Sequence, residues 1–301
     1  MKLAAIDIGS NAVRLQITNT IEYEEVITFK KLEYIRFPLR LGHDVFTTGK
    51  ISRENEKRFV KLMSAYKTMI DLYEVDQFFG CATSAMREST NGREIVEYVK
   101  ENVDLPIRII DGNEEASIIN EAVKLEMGKA KNYLHVDVGG GSTELNYYKK
   151  AKKKASGSFK TGSVRRMDGL EDPDVWDKIS DWISKEIGHD ENLQAIGTGG
   201  NINKLFELTS GKKEKRKTSL QKLEEVVEMI QSLSIEQRML KLQMNADRAD
   251  VIIPASDIYI KVMQLAEVKK ILVPDVGLKD GINIMLYERG NPDHGKMILR
   301  N

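Results

Sequence analysis

The sequence predicts an α/β protein built as two like-folded domains facing across a cleft, and three observations carry that expectation. Two glycine-rich turns, Asp7-Ile8-Gly9-Ser10-Asn11 and Asp137-Val138-Gly139-Gly140-Gly141-Ser142, each follow an apolar strand and precede an alternating one. The first copy runs from Leu3 to Ile8 and on into Val13-Arg14-Leu15-Gln16-Ile17; the second runs from Tyr133 to Val138 and on into Thr143-Glu144-Leu145-Asn146-Tyr147. Behind each copy, strand patterns alternate with helical ones, as a largely α/β sheet requires. Repetition in matching context implies an internal duplication.

After the first hairpin, residues 25–36 read as strand, and residues 40–42 and 48–52 as loop leading to a helix capped by Ser52. Phe59, Leu62, Met63, Tyr66, Met69, Ile70 and Tyr73 form one apolar stripe on that helix. A strand at 77–82, a small polar segment at 83–87, a helix near 93–101 and a strand at 107–110 follow. In the second half a polar, basic connection leads to a helix at 175–187, a strand at 193–196 entering Gly197-Thr198-Gly199-Gly200, and a helix beyond. Residues 220–242 and 255–265 read as helices, 270–273 as strand and 278–287 as the final helix. Domain I is expected at residues 1–117 with a C-terminal helix at 284–301, and domain II at 118–283.

At 301 residues and 41% hydrophobic content, the chain can fill two packed cores. Lys plus Arg equals Asp plus Glu at 46 each, which predicts no nucleic-acid or membrane partner. Positive charge is nevertheless clustered, at Lys149, Lys150, Lys152, Lys153 and Lys154, and again at Lys212, Lys213, Lys215, Arg216 and Lys217, where a polyanion could use it. Cys81 is the only cysteine, so no internal disulfide forms. The short apolar start and the lack of a long apolar run predict a cytoplasmic protein. His43, His135, His189 and His294 share no metal-ligand spacing, which argues against zinc. Oligomeric state is not legible; a homodimer is left open.

Glycines allow tight bends and remove side chains, so successive amides in each turn can converge on phosphate oxygens. The acid at each strand end repels phosphate and makes sense as a ligand for a hard cation, with Mg²⁺ the natural candidate. Glu114 and Glu115 open a helix whose apolar set is Ile118, Ile119, Ala122 and Val123. Glu115 falls on the inward stripe, whereas Glu114 aligns with Glu121 toward solvent. Desolvation and nearby phosphate are expected to raise the Glu115 pKa against the helix amino end, which suits a general base. Arg87, after a strand end, and Arg14 can offer forked donors to phosphoryl oxygens. Gly199 and Gly200 precede a helix whose free amides form another anion or nucleotide seat.

These residues together, Asp7 to Arg14, Ala82 to Arg87, Gly112-Asn113-Glu114-Glu115-Ala116, Asp137 to Glu144, Gly197 to Gly200 and Gly277-Leu278-Lys279-Asp280-Gly281, resemble the motifs of the exopolyphosphatase and guanosine pentaphosphate phosphohydrolase family. The resemblance implies two ribonuclease-H-like domains of the actin and sugar-kinase superfamily, and Mg²⁺-dependent removal of terminal phosphates. It implies Glu115 as the catalytic carboxylate and Asp7, Asp137 and Glu144 as metal-linked acids. Gly9, Ser10, Asn11, Arg14, Arg87, Gly139, Gly140, Gly141, Ser142, Gly199 and Gly200 fall on the phosphate site. Longer members continue into helical domains that hold long polymer, so an end at Asn301 is expected to limit processive digestion. Arg165-Arg166 departs from the single arginine usual there.

The leading expectation is therefore hydrolysis of the end of inorganic polyphosphate, with hydrolysis of guanosine pentaphosphate to the tetraphosphate as the close rival. A sugar or acetate kinase is allowed by the superfamily fold but lacks a sugar-binding signature. A binding module that senses a nucleotide without turnover is disfavoured by the intact acids at 115, 137 and 144.

Overall fold

The computed structural model describes residues 1–128, 131–209, 216–291 and 295–300. From the N-terminus, β1 (Lys2–Ile8), β2 (Val13–Tyr23) and β3 (Val26–Phe37) form a meander. Next come α1 (Leu41–Thr48), α2 (Arg53–Leu72), β4 (Gln77–Ala82), α3 (Ser84–Glu88), α4 (Gly92–Val103), β5 (Ile107–Ile109) and α5 (Gly112–Leu125). The plan restarts with β6 (Asn132–Val138), β7 (Thr143–Lys149), β8 (Lys152–Phe159), α6 (Ser163–Met167), α7 (Val175–Glu186), β9 (Leu193–Thr198) and α8 (Gly200–Leu208). It continues through β10 (Lys217–Ser219), α9 (Leu220–Gln231), α10 (Ile235–Leu242), α11 (Ala246–Ala249), α12 (Ile252–Leu265) and β11 (Lys270–Leu272). The chain closes with α13 (Leu278–Gly290) and β12 (Lys296–Arg300).

Two compact units result: Met1–Leu125 with Val276–Asn301, and Glu126–Asp275. Sheet A, in the first, has the order β12-β3-β2-β1-β4-β5, and sheet B, in the second, β10-β11-β9-β6-β7-β8. Matching β1, β2, β3, β4 and β5 to β6, β7, β8, β9 and β11 gives the same 3-2-1-4-5 order in both, the ribonuclease-H-like arrangement. Each unit has its own apolar core, around Ile6, Leu15, Phe59 and Tyr66 in the first and Val136, Leu145, Ile202 and Ile258 in the second.

The unit boundaries fall at 125/126 and 275/276 rather than at 117/118 and 283/284. The reason is that α5 and α13 pack on one another as whole helices. A Cβ on Gly281 would lie 2.0 Å from the carbonyl oxygen of Ile118, so the two backbones meet with no side chain between them. The expected C-terminal helix at 284–301 is also corrected: α13 ends at Gly290, and β12 pairs in parallel with β3, Lys296 opposite Val26.

Local differences have local causes. Leu41, Gly42 and Thr48, expected as loop, belong to α1, which begins after Arg40 turns left-handed at φ 58 and stops at Gly49 with φ 78. The small polar segment at 83–87 supplies most of the short α3, Ser84–Glu88. The stretch 220–242 is two helices, because Ser234 caps α10 in a reciprocal box with Gln237. The stripe on α2 is buried at Phe59, Met63, Tyr66 and Ile70, and the Ser52 hydroxyl accepts from the Asn55 amide as its cap.

Candidate functional site

The two hairpins are built alike. Asp7 stands opposite Arg14 and Ile8 opposite Val13 in the first; Asp137 stands opposite Glu144 and Val138 opposite Thr143 in the second. In each, the first glycine donates across the turn, Gly9 N to Ala12 O at 3.2 Å and Gly139 N to Ser142 O at 3.0 Å. Neither glycine adopts a left-handed φ, so these residues serve by their small size rather than by unusual backbone angles. The left-handed position is Gly199, with φ 108, where β9 turns into α8.

In the first unit, the turn is braced from α1: the Gly42 amide donates to Ser10 O at 2.7 Å and the Arg40 amide to Asn11 O at 3.0 Å. The hydroxyls of Ser10 and Ser84 lie 2.7 Å apart. Arg14 Nη1 donates to Asp7 Oδ2 at 2.8 Å. Burial works against the charge on Arg14, but Asp7 and Tyr34 outweigh it and raise the guanidinium pKa above its ordinary value. The sequence reading did not anticipate this pairing of Asp7 with an arginine, nor that Arg36 on β3 stands directly opposite Arg14. One cross-strand row of sheet A therefore reads Cys81, Asp7, Arg14, Arg36.

Glu115 sits in the first turn of α5, whose amino end is closed by Asp111: its Oδ1 accepts from the amides of Asn113 and Glu114, each at 2.9 Å. Glu114 turns outward and pairs with Arg108, whereas Oε2 of Glu115 is shielded from solvent, the inward and outward split that the periodicity predicts. Burial pushes the pKa of the Cys81 thiol well up, and the charges of Asp7, its cross-strand neighbour, and of Glu115 act in the same direction. Arg87 Nη1 donates to the carbonyl of Ile110 at 2.7 Å, so this side chain ties the end of α3 to the strand-to-helix link before Glu115.

In the second unit, the row equivalent to that of sheet A reads Thr198, Asp137, Glu144, Ser158. Thr198 Oγ1 donates to Asp137 Oδ1 at 2.7 Å, and Ser158 Oγ to Glu144 Oε1 at 3.0 Å. Glu144 is buried at 2% exposure. Two carboxylates directly opposite on neighbouring strands repel, unless a cation lies between them. The row offers oxygen donors alone, which suits a hard divalent ion. Among the described residues no group of three or more His, Cys, Asp or Glu side chains could hold a metal.

The carbonyls of the second turn are taken up from behind. The amides of Ser163 and Val164 donate to Gly139 O and Gly140 O, each at 2.9 Å, and Arg165 Nε donates to Gly141 O at 2.8 Å. Gly162 is required here, since a Cβ on it would sit 2.6 Å from the backbone of Gly140. Among the described residues the amides of Gly140, Gly141 and Ser142 donate to no backbone carbonyl, as an anion cradle needs. Arg165 thus acts as a brace for the turn, and the neighbouring Arg166 pairs with Glu171 at 2.5 Å. Tyr259, fully buried, joins the row's two strand ends, donating to Thr198 O and accepting from the Val138 amide at 3.3 Å. His135 lies behind the carboxylates, and burial pushes its pKa down to about 3, which keeps the imidazole neutral.

The basic blocks fare differently. The lysines at 149–154 sit on the β7–β8 turn, at the far end of β7 from Gly139–Ser142, roughly 20 Å away at about 3.3 Å per residue. Lys212, Lys213 and Lys215 lie outside the described residues, as does His294. No helix among the described residues is long and apolar enough to cross a membrane.

Comparison with known proteins agrees with the motifs. The chain is 34% identical over 217 residues to a bifunctional 3-dehydroquinate synthase/phosphatase of Fusobacterium nucleatum, covering 65% of this chain and 32% of that protein. It therefore spans about a third of the length of that curated relative, 32%. In fold it is similar to a Ppx/GppA family member of Aquifex aeolicus, with TM-score 0.76 and 24% identity over 97% of this chain and 99% of that one. It is similar also to an exopolyphosphatase of Cytophaga hutchinsonii, with TM-score 0.82 and 22% identity over 96% of this chain and 98% of that one. The pattern of the Ppx/GppA phosphatase family matches residues 21–289, and the chain belongs to that family.

Proposed function

We propose that the protein is a Mg²⁺-dependent phosphoanhydride hydrolase that releases orthophosphate from the end of inorganic polyphosphate. The observation that carries this reading is the pair of matching rows with opposite charge: Asp7, Arg14 and Arg36 in sheet A, Asp137 and Glu144 in sheet B. The first row has a surplus of guanidinium and suits a phosphate; the second has a surplus of carboxylate and suits a cation. Asp137 and Glu144 would hold Mg²⁺, which when bound neutralises charge on the terminal phosphate oxygens. Asp7 orients Arg14, accepting from its Nη1 at Oδ2.

Glu115 accepts a proton from the attacking water as the new P–O bond forms and the anhydride P–O bond breaks, with the shortened chain leaving on its own oxygen. In the first unit Arg14 offers guanidinium donors to phosphoryl oxygens; in the second the Gly140 and Gly141 amides, on a turn whose carbonyls are held by Ser163, Val164 and Arg165, offer donors to an anion.

A nucleotide substrate is the second reading, favoured by a cleft of about 470 Å³ in the second unit lined by Asn203, Phe206, Arg216 and Arg248. Arg216 lies over the Phe206 ring at 5.3 Å and donates to Asn203 Oδ1 at 2.9 Å, a surface on which a base could stack. Steady-state kinetics on long polyphosphate, tripolyphosphate and guanosine pentaphosphate, with and without chelator, tests the choice. The expected result is the highest kcat/KM on polyphosphate and loss of turnover on chelation. A strong preference for guanosine pentaphosphate reverses the order of the two readings.

A further inference from the structure

Behind the carboxylate pair of sheet B runs a chain of hydrogen bonds that ends on Asp137. Ser156 Oγ donates to Asn146 Oδ1 at 2.5 Å, and Asn146 Nδ2 lies 3.2 Å from His135 Nδ1. His135 Nε2 lies 2.8 Å from Thr198 Oγ1, which donates to Asp137 Oδ1 at 2.7 Å. Ser156, Asn146 and His135 are cross-strand partners, one row behind Ser158, Glu144 and Asp137 on the same face.

The directions follow from the acid end. An ionised carboxylate only accepts, so the Thr198 hydrogen points at Asp137 and its oxygen accepts a hydrogen bond from the N–H at His135 Nε2. Nδ1 is then an acceptor, which selects the Asn146 amide nitrogen as its donor and leaves the Asn146 oxygen for Ser156. His135, Asn146 and Thr198 have no exposed surface, and burying so many polar groups is costly unless they satisfy one another. The same row in sheet A is Ala5, Gln16 and Tyr34, where Gln16 turns instead to Asp280 on α13 at 2.9 Å. A relay to the strand-end acid is therefore a property of the second unit and not of the shared fold.

We infer that His135, Asn146 and Ser156 are positioning residues that act through Thr198 to fix the orientation of Asp137 for the divalent cation. The inference rests on the metal reading of the Asp137–Glu144 pair. Groups that hold a metal ligand from behind typically carry about 10- to 100-fold in metal affinity or activity.

The test is Mn²⁺ binding to the full chain, followed by electron paramagnetic resonance, in wild type, His135→Leu, His135→Gln and Asp137→Asn. His135→Leu removes the donor to Thr198 and should weaken Mn²⁺ about tenfold and lower kcat similarly, with KM for tripolyphosphate within about twofold. His135→Gln, which keeps a neutral amide donor, should recover most of the loss. The imidazole ¹⁵N spectrum of the wild type should show the Nε2-protonated tautomer. Unchanged Mn²⁺ affinity in His135→Leu while Asp137→Asn is weakened overturns the relay alone, as does an Nδ1-protonated ring. If Asp137→Asn binds Mn²⁺ as the wild type does, the metal reading falls and takes the relay with it. Should His135→Leu not fold, Ser156→Ala at the exposed end of the chain replaces it, with about a twofold to threefold loss expected and no loss counting against the relay.

Discussion

Sheet A and sheet B present the same four-residue row at the same place, one step before a glycine turn, and fill it with opposite chemistry. In sheet A the row is Cys81, Asp7, Arg14, Arg36; in sheet B it is Thr198, Asp137, Glu144, Ser158. The first aspartate brings its own counter-ion at 2.8 Å, and a second arginine stands beyond it. Its counterpart, Asp137, faces another carboxylate, and a hydroxyl holds each of the two, Thr198 on Asp137 and Ser158 on Glu144. The glycine turns are alike down to the hydrogen bond that closes them, so they do not distinguish the units. The cross-strand partner of the aspartate does: it is arginine in sheet A and glutamate in sheet B, which in the proposed mechanism serve an anion and a cation respectively.

The largest expected effect lies on a residue that belongs to neither row. Glu115 is placed in the first turn of α5 behind the Asp111 cap, and the proposed mechanism gives it the proton of the attacking water. Glu115→Gln should lower kcat by about 10²- to 10⁴-fold, the usual range for a general base, while substrate affinity changes only a few-fold. Steady-state and equilibrium binding measurements on the folded variant check this. Near-normal turnover would remove Glu115 as the base.

The contrast itself is sharpened by neutralising one member of each row and measuring thermal unfolding in chelator. Arg14→Gln leaves Asp7, which is 8% exposed, without its ion-pair partner. The pair is partly open to solvent, so the expected cost is about 1–3 kcal/mol, less than for a fully buried pair. Glu144→Gln instead relieves repulsion between like charges on neighbouring strands and should stabilise the chelated protein by about 0.5 kcal/mol. Adding Mg²⁺ should raise the Tm of the wild type and much less that of Glu144→Gln. Destabilisation of both variants in chelator would break the comparison.

Much of the fold was legible because its signals are local. An acid, a small-residue turn and flanking alternation sit within a dozen residues in both hairpins, and α2 advertises its buried stripe and its Ser52 cap. The missed elements depend on distant or unusual features. Strand β12 exists through pairing with Val26 and its neighbours, nearly the whole chain away, and α1 begins at a left-handed arginine that no propensity scale anticipates. The division between α9 and α10 was in principle readable from Ser234 and Gln237, but the apolar periodicity ran across it. At the site, Asp7, Asp137 and Glu144 were visible as residue types, whereas their charges acquire meaning only from register. Arg36 reaches the row of Arg14 across a pairing that contains a bulge at Ile17 and Thr18, and His135 reaches Asp137 through the hydroxyl of Thr198 on another strand.

The smallest effect is expected from the most conspicuous charge cluster. Lys149, Lys150, Lys152, Lys153 and Lys154 look like a polyanion track in sequence, yet β7 carries them to the end of sheet B opposite its glycine turn. At roughly 20 Å along the strand and a Debye length of about 8 Å at physiological salt, their field at the cradle is largely screened. Lysines on the edge strand β8 have a sufficient role in discouraging pairing with another sheet. Replacing all five with glutamine should change KM for tripolyphosphate by less than about twofold and leave the slope of log KM against log salt unchanged, since that slope counts the cations in contact with phosphate. A severalfold rise in KM for this short substrate, with a shallower salt slope, would mean that the cluster contacts it and that the charge of sheet B near its substrate is not set by Asp137 and Glu144 alone.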